Sequence, residues 1–169
     1  MSKPAPSSID VALEPHRGYR RCAGIFLLND ARHVFVGQRA DTKSSAWQLP
    51  QGGIDDGEDP VAAGLREMQE EIGTNRASLL QSSRVWRAYD LPAALARRMW
   101  GGRYRGQTQK WLAFHFDGSD ADIRIDVKDA EFRAWRWQDP GELADLAVPF
   151  KRDVYLNVID EFRHLWAGG

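Results

Sequence analysis

Three glutamates stand within five positions of one another and are the residues in this chain best suited to chemistry. They are Glu67, Glu70 and Glu71, in the segment GGIDDGEDPVAAGLREMQEEIG over residues 52–73. Like charges at helical spacing repel one another and slightly destabilise a helix, and no lysine stands three or four residues away to offset these. Clustered carboxylates bind hard divalent cations, and Mg²⁺ is held by a few carboxylates, waters and substrate phosphate oxygens. The pattern therefore indicates a metal site.

A helix must position these glutamates, and its two ends are visible in the sequence. Asp59 followed by Pro60 is typical of a helix start, and Gly73 is typical of the position just after a helix. An apolar stripe within about 60° of arc faces the core: Val61, Leu65, Met68 and Ile72. The three glutamates fall on roughly the opposite side. An ordinary solvated acidic face is the alternative, but such faces usually mix charges, and a glycine-rich loop, GGIDDG, precedes this helix.

The remaining elements predict an α+β domain. Strands are predicted at 22–28, 33–39, 47–50, 107–116 and 131–137, an extended segment at 83–91, and an amphipathic helix at 151–166. Segment 92–106 is either a short helix or a mobile basic loop. Strands flanking a central and a C-terminal helix predict a mixed β-sheet with helices packed on its faces. Residues 1–17, with three prolines, are predicted to form a flexible tail, and residues 18–169 a single domain.

Composition limits the function classes. The 169 residues are 43% apolar with a net charge of −1, which argues against an extended nucleic-acid-binding surface. The single cysteine, Cys22, opens an apolar run and is expected to be a buried thiol. No apolar run has the roughly 20 residues of a membrane span, and the N-terminus lacks a signal pattern. We therefore expect a cytoplasmic enzyme or binding domain that does not contact membranes.

The segment over residues 52–74 resembles the Nudix box of the Nudix hydrolases. The fixed glycine, glutamate and arginine positions of that motif all match, and only its final, usually aliphatic position differs, being Thr74 here. The matching residues are Gly52, Glu58, Arg66, Glu67, Glu70, Glu71 and Gly73.

The resemblance extends over most of residues 19–162. YRRCAGIFLL, AWQLPQGGID, GQTQKW, EFRAWRW and PFKRDVY look like the branch that contains RNA 5′-pyrophosphohydrolases and dinucleoside-polyphosphate hydrolases. That branch usually begins with Tyr-Arg-Pro-Asn, whereas Tyr19-Arg20 is followed here by Arg21-Cys22. The resemblance implies a Nudix fold, in which a mixed sheet lies between helices, and hydrolysis of a nucleoside diphosphate linked to another group.

Roles for individual residues follow from the resemblance alone. It implies that Glu67, Glu70 and Glu71, with Gly52, form a site for Mg²⁺ or Mn²⁺ that holds more than one ion. A fourth acid of the branch corresponds to Glu131, as metal ligand or base, although a surface glutamate at a strand edge is the alternative. Glu58 and Arg66 are implied to brace the helix and loop. Which glutamate acts as the general base stays open.

Substrate contacts are predicted at seven positions, with solvated surface or core packing as the alternative for each: Arg39, Tyr89, Gln107, Gln109, Lys110, Phe150 and Lys151. The implied substrate is a nucleotide or an RNA 5′ end, and removal of pyrophosphate from 5′-triphosphorylated RNA is preferred. Hydrolysis of diadenosine tetra- or pentaphosphate is the alternative. A non-catalytic nucleotide-binding module is a more distant alternative. Such modules typically lose acidic residues of the Nudix box, and all of those residues are present here. The oligomeric state stays open.

Overall fold

A computed structural model of the chain describes residues 9–168 and shows one mixed β-sheet with helices on both faces. The strands are β1 (Asp10–Ala12), β2 (Arg20–Leu28), β3 (Val34–Arg39), β4 (Gln51–Gly53), β5 (Ala77–Ser82), β6 (Trp86–Asp90), β7 (Gly106–Phe116) and β8 (Phe132–Gln138). The helices are α1 (Pro60–Ile72), α2 (Ala93–Trp100), α3 (Pro149–Glu161) and α4 (Arg163–Trp166), and short 3₁₀ turns span Asp120–Asp122 and Pro140–Leu146.

The sheet runs in the order β1-β6-β7-β2-β3-β8, with β4 paired to β2 and β5 to β7. The β2–β7 pair is parallel and the other pairs are antiparallel. Strand β2 is buried on both faces, because successive side chains point to opposite sides and each side is covered by helix. Ile25 and Leu27 pack in the cluster that contains Met68 of α1, whereas Phe26 packs in the cluster that contains Val158 of α3. The predicted fold class is confirmed.

Helix α1 begins and ends where its sequence predicts. The Asp59 carboxylate accepts hydrogen bonds from the backbone N–H groups of Val61 (3.0 Å) and Ala62 (3.2 Å), which caps the first turn. Gly73 ends the helix with φ of 76°, a left-handed conformation that glycine adopts readily. The predicted stripe faces the core: Met68 and Ile72 are fully buried, and Val61 and Leu65 pack against the same cluster.

Several predicted boundaries are wrong at the sheet edges. Asp10–Ala12 of the predicted tail form β1, because they pair with Trp86–Ala88 of β6, and residues 1–8 lie outside the described residues. The strand predicted at 47–50 is reduced to a single bridge between Gln48 and Gly37, and the strand proper is the glycine-containing β4. Strand β5 was not predicted, because its exposed Leu79 and Leu80 break the alternation of an ordinary edge strand.

The ambiguous segment 92–106 contains α2 and a glycine turn. The C-terminal helix predicted at 151–166 is divided at Phe162 into α3 and α4. Cys22 is a buried free thiol, as predicted. Within residues 9–168 no helix has both the length and the apolar character that crossing a membrane requires.

Candidate active site

The four candidate metal-binding glutamates line one cavity, between the acidic face of α1 and the loop before β8. The cavity has a volume of about 340 Å³ and is lined by Glu67, Glu70, Glu71, Lys128, Asp129 and Glu131. Glu131 directly precedes β8, which is how the chain brings a residue 60 positions away beside the helix. The structure therefore assembles all four glutamates from two separate segments.

Glu71 is the buried member of this group. It is only 8% exposed, and its Oε2 atom has no hydrogen-bond partner among the described residues. Burial raises the pKa of its carboxyl group well above the usual value, and the charges of Glu67 and Glu131 raise it further. Burial also raises the pKa of Glu67, although Arg66 partly opposes this shift. A buried, unpaired carboxylate next to other carboxylates is stabilised by a cation.

This donor set fits a hard divalent cation. All four side chains offer carboxylate oxygens, the ligands that Mg²⁺ and Mn²⁺ prefer. Within residues 9–168 no three acidic, histidine or cysteine side chains form a ready-made metal cage. Magnesium does not require one, because it keeps several waters and is shared with substrate phosphates. The wide cavity and the unpartnered Glu71 oxygen suit that mode of binding.

Glycines of the loop allow the backbone to approach these side chains closely. A Cβ atom added at Gly52 would lie 1.9 Å from Cδ of Glu67, so any other residue there would displace the carboxylate. Gly52 is held in place by its pairing with Ala23 in β2. A Cβ atom added at Gly53 would lie 2.4 Å from Nη2 of Arg20. The loop is therefore fitted between the central strand and the glutamates.

Arg66 braces this loop, as its position in the motif implies. It donates two hydrogen bonds of 2.9 Å to Glu58 and one of 2.9 Å to the carbonyl oxygen of Gly53. The guanidinium group lowers the pKa of Glu58 to about 2. The same guanidinium also reaches Glu67 (2.9 Å) and Glu70 (3.4 Å), so these two glutamates are less isolated from positive charge than the lack of nearby lysines indicates.

A second cavity, of about 490 Å³, contains three of the predicted substrate residues, Arg39, Phe150 and Lys151. Between Arg39 and Asp41 of this cavity, Ala40 donates a backbone hydrogen bond of 2.8 Å to the carbonyl oxygen of Glu131, so the cavity adjoins the glutamates. Lys151 is 6% exposed and donates to Oε1 of Gln48 at 3.4 Å. Burial lowers its pKa to about 8. Such a cavity offers positive charge to phosphates and an aromatic face to a base.

Arg39 and Phe150 occupy the wall of this cavity in different ways. Asp41 binds the guanidinium of Arg39 at 2.8 Å and 2.5 Å, and these hydrogen bonds raise the arginine pKa. The ring of Phe150 is partly buried, and its centroid lies 6.1 Å from that of Tyr89. Phe150 thus has both a packed side and a cavity side.

Three other predicted substrate residues lie in a buried hydrogen-bond network. Gln109 donates to Gln51 (2.5 Å) and Gln107 (2.9 Å), Gln51 donates to Gln107 (3.0 Å), and the Tyr89 hydroxyl donates to Gln107 (3.2 Å). Lys110 is on the opposite face of β7, with its Nζ atom 5.9 Å from the Trp86 ring centroid. It lines neither the glutamate cavity nor the Phe150 cavity.

Sequence reasoning missed other residues that line the second cavity. They come from the loop after β3 and from α2, and include Asp41, Trp47, Gln48, Leu95, Arg98 and Met99. The aromatic Trp47 beside the glycine-rich loop was an available signal. The sequence did not predict the contribution of α2, because the pattern of segment 92–106 was compatible with either a helix or a loop.

Comparison with known proteins finds a NUDIX domain over residues 18–158. An RNA pyrophosphohydrolase of Novosphingobium aromaticivorans is 54% identical over 151 residues, which cover 87% of this chain and 94% of that protein. An RNA pyrophosphohydrolase of Rickettsia canadensis is 46% identical over 147 residues, which cover 87% of this chain and 91% of that protein. Among solved structures, the E. coli dihydroneopterin triphosphate pyrophosphohydrolase superposes with a TM-score of 0.61 at 19% identity, covering 85% of this chain and 99% of that one. This last similarity concerns the fold alone.

Proposed function

The chain belongs to the NUDIX family, and we propose that it is a pyrophosphohydrolase that removes pyrophosphate from the 5′ end of triphosphorylated RNA. The observation that carries this proposal is the adjacency of two cavities with opposite charge, one lined by four glutamates and one by Arg39 and Lys151. Relatives of about half identical sequence over most of the chain bear the name RNA pyrophosphohydrolase, which supports RNA as the substrate.

Enzymes of this family generally need divalent metal ions, and we propose Mg²⁺ or Mn²⁺, with more than one ion. Glu67, Glu70, Glu71 and Glu131 would hold them, with the backbone of Gly52 beside Glu67. Bound there, such ions neutralise phosphate oxygens and acidify a water molecule. Arg66 and Glu58 hold the loop and helix in register through hydrogen bonds to each other and to Gly53.

The reaction adds water across the anhydride between the α- and β-phosphates. The new bond joins the water oxygen to the α-phosphorus, and the bond from that phosphorus to the bridging oxygen breaks, which releases pyrophosphate and leaves a 5′-monophosphate. One carboxylate accepts the proton of the attacking water. A polyanionic substrate repels hydroxide, so positive charge beside it is required.

Substrate positioning falls to the second cavity. The charges of Lys151 and Arg39 would hold the phosphates, and for Arg39 this means exchanging Asp41 for a phosphate oxygen. Phe150 would stack on the first base, since aromatic faces accept any base. Tyr89, Gln107 and Gln109 hydrogen-bond to one another. They would support the floor of the substrate site and would not bind the substrate directly. We further propose a cytoplasmic location, which agrees with the single unpaired cysteine.

The experiment is product analysis with RNA that carries a labelled γ-phosphate and a 5′-triphosphate. With Mg²⁺ we expect labelled pyrophosphate and 5′-monophosphorylated RNA, and no reaction in a metal chelator. Release of orthophosphate alone, or no release, would refute the proposal. Diadenosine tetraphosphate, assayed in parallel, tests the alternative substrate.

A further inference from the structure

The guanidinium group of Arg39, which the proposed function assigns to phosphate, already binds an anion. The Asp41 carboxylate accepts hydrogen bonds from its Nε atom (2.8 Å) and from its Nη2 atom (2.5 Å), one on each carboxylate oxygen. Arginine binds phosphate groups through the same two parallel hydrogen bonds. Asp41 therefore occupies the position of two phosphate oxygens, and a ligand that uses Arg39 must displace it.

This ion pair lies at the wall of the Phe150 cavity and is open to solvent. Arg39 and Asp41 both line the cavity, and their side chains are 36% and 62% exposed. The hydrogen bonds from Arg39 lower the pKa of Asp41, so its carboxyl group is charged at neutral pH. An exposed ion pair contributes little free energy, because water solvates both partners when they separate. A phosphate group that arrives in the cavity can therefore displace Asp41.

The backbone on either side of Asp41 is held by Arg133 of β8. The Arg133 guanidinium group donates hydrogen bonds to three backbone carbonyl oxygens, those of Arg39 (2.5 Å), Thr42 (2.5 Å) and Ser44 (2.6 Å). Because the backbone is held, Asp41 leaves Arg39 by rotation of its side chain and stays within reach. A tethered group has a high effective concentration, so it binds again as soon as the competing ligand leaves.

The other cation assigned to phosphate in this cavity has no such competitor. Lys151 makes no ion pair with any residue from 9 to 168, and it donates to the uncharged amide oxygen of Gln48 at 3.4 Å. One of the two cations is thus neutralised by a carboxylate and the other is not. This arrangement weakens the hold on phosphate without abolishing it, which suits an enzyme that must release a polyanionic product.

We propose that Asp41 competes with phosphate for Arg39 and thereby promotes the release of pyrophosphate. While a phosphate group occupies Arg39, the Asp41 side chain faces solvent. As the phosphate withdraws, Asp41 binds the guanidinium group again and prevents recapture. This inference rests on the proposed function, which supplies the pyrophosphate. Asp41 does not touch the reacting atoms, and its role is to set how tightly the cavity holds phosphate.

The test is the binding of methylenediphosphonate, a pyrophosphate analogue in which carbon replaces the bridging oxygen, measured by titration calorimetry with Mg²⁺. We expect Asp41→Asn to bind the analogue about 2- to 5-fold more tightly than the wild-type protein, the effect of removing one exposed competing ion pair. Asp160→Asn removes a carboxylate that is 79% exposed and pairs with Arg163. It lines neither cavity, so it is the matched control and is expected to bind like the wild-type protein.

An Arg39→Gln background separates competition from a general effect of charge. Asp41 has no guanidinium group to occupy there, so Asp41→Asn is expected to lose most of its gain in affinity. An equal gain in both backgrounds, or no gain in the wild-type background, would overturn the inference.

Product inhibition provides a second measurement. In the RNA assay, pyrophosphate is expected to inhibit Asp41→Asn at a concentration lower by the same factor, and unchanged inhibition would also overturn the inference. Because the analogue binds without being hydrolysed, a failure to release pyrophosphate from RNA would refute the proposed function separately.

Discussion

Replacing Glu71 by glutamine is expected to make the protein more stable and much less active. The substitution keeps the shape and the polar atoms of a side chain that is 8% exposed, but it removes the ionisable carboxyl group. Burial and the charges of Glu67 and Glu131 raise the pKa of that group, and above the ordinary pKa of a glutamate each pKa unit of such a shift costs the folded state about 1.4 kcal/mol. In a metal chelator we therefore expect Glu71→Gln to raise the free energy of unfolding by about 1–3 kcal/mol. For a domain of this size that raises Tm by roughly 2–12 °C.

Saturating Mg²⁺ is expected to offset part of this stability difference. A ligand present at about 100 times its Kd stabilises the folded state by about 2.7 kcal/mol, so saturating Mg²⁺ is expected to raise the Tm of the wild-type protein by several degrees. The Glu71→Gln variant is expected to gain less, because it has lost one carboxylate. Its kcat on triphosphorylated RNA is expected to fall by at least about a hundredfold, the scale of losing a key electrostatic group.

The assays are thermal unfolding in chelator and in a Mg²⁺ titration, together with steady-state kinetics. Glu14→Gln, at an exposed position outside the cavity, is the control for loss of one charge. A Glu71→Gln variant with near-normal kcat and the full wild-type response to Mg²⁺ would refute the assignment of Glu71 to the metal site. Lower stability than wild type in chelator would refute the argument from burial.

Three further predictions concern Lys151, Phe150 and Glu161. Burial lowers the pKa of Lys151 to about 8, so KM for RNA is expected to rise above that pH as the lysine loses its charge. Lys151→Arg is expected to abolish this rise. A KM that is independent of pH from 7 to 9.5 would exclude Lys151 as a phosphate ligand. The unfolded chain binds the lysine proton up to its ordinary pKa, 10.5, so between about 8 and 10.5 this group makes stability increase with pH. Phe150→Ala is expected to weaken RNA binding by about 1–3 kcal/mol with little change in Tm, whereas a sharp fall in Tm with unchanged KM would show that Phe150 only packs. Glu161→Ala leaves Arg87, whose side chain is 7% exposed, without its 2.6 Å partner, and is expected to cost about 3–5 kcal/mol of stability without altering kcat; an unchanged Tm would contradict this.

Helix α1 was predictable because its determinants are local. Asp59, Pro60 and Gly73 specify its ends by capping and backbone geometry, and the apolar spacing specifies its buried face. The same spacing placed Glu67, Glu70 and Glu71 together. None of this required knowledge of a distant residue, and the structure agrees with each part.

Features that depend on distant partners were not predictable in the same way. Strand β1 forms because β6 offers an unpaired edge, and the three residues Asp10–Ala12 carry no strand pattern of their own. For Lys110 the signal was present in the sequence: alternation along a strand separates it from Gln107 and Gln109.

Competition between two substrates shows whether the adjoining cavities remove pyrophosphate from RNA. Triphosphorylated RNA and diadenosine tetraphosphate are mixed in one reaction with Mg²⁺, and the two values of kcat/KM are obtained from the initial rates of product formation. We expect a higher kcat/KM for RNA, with pyrophosphate as the product. A higher value for diadenosine tetraphosphate, or RNA left intact, would contradict it.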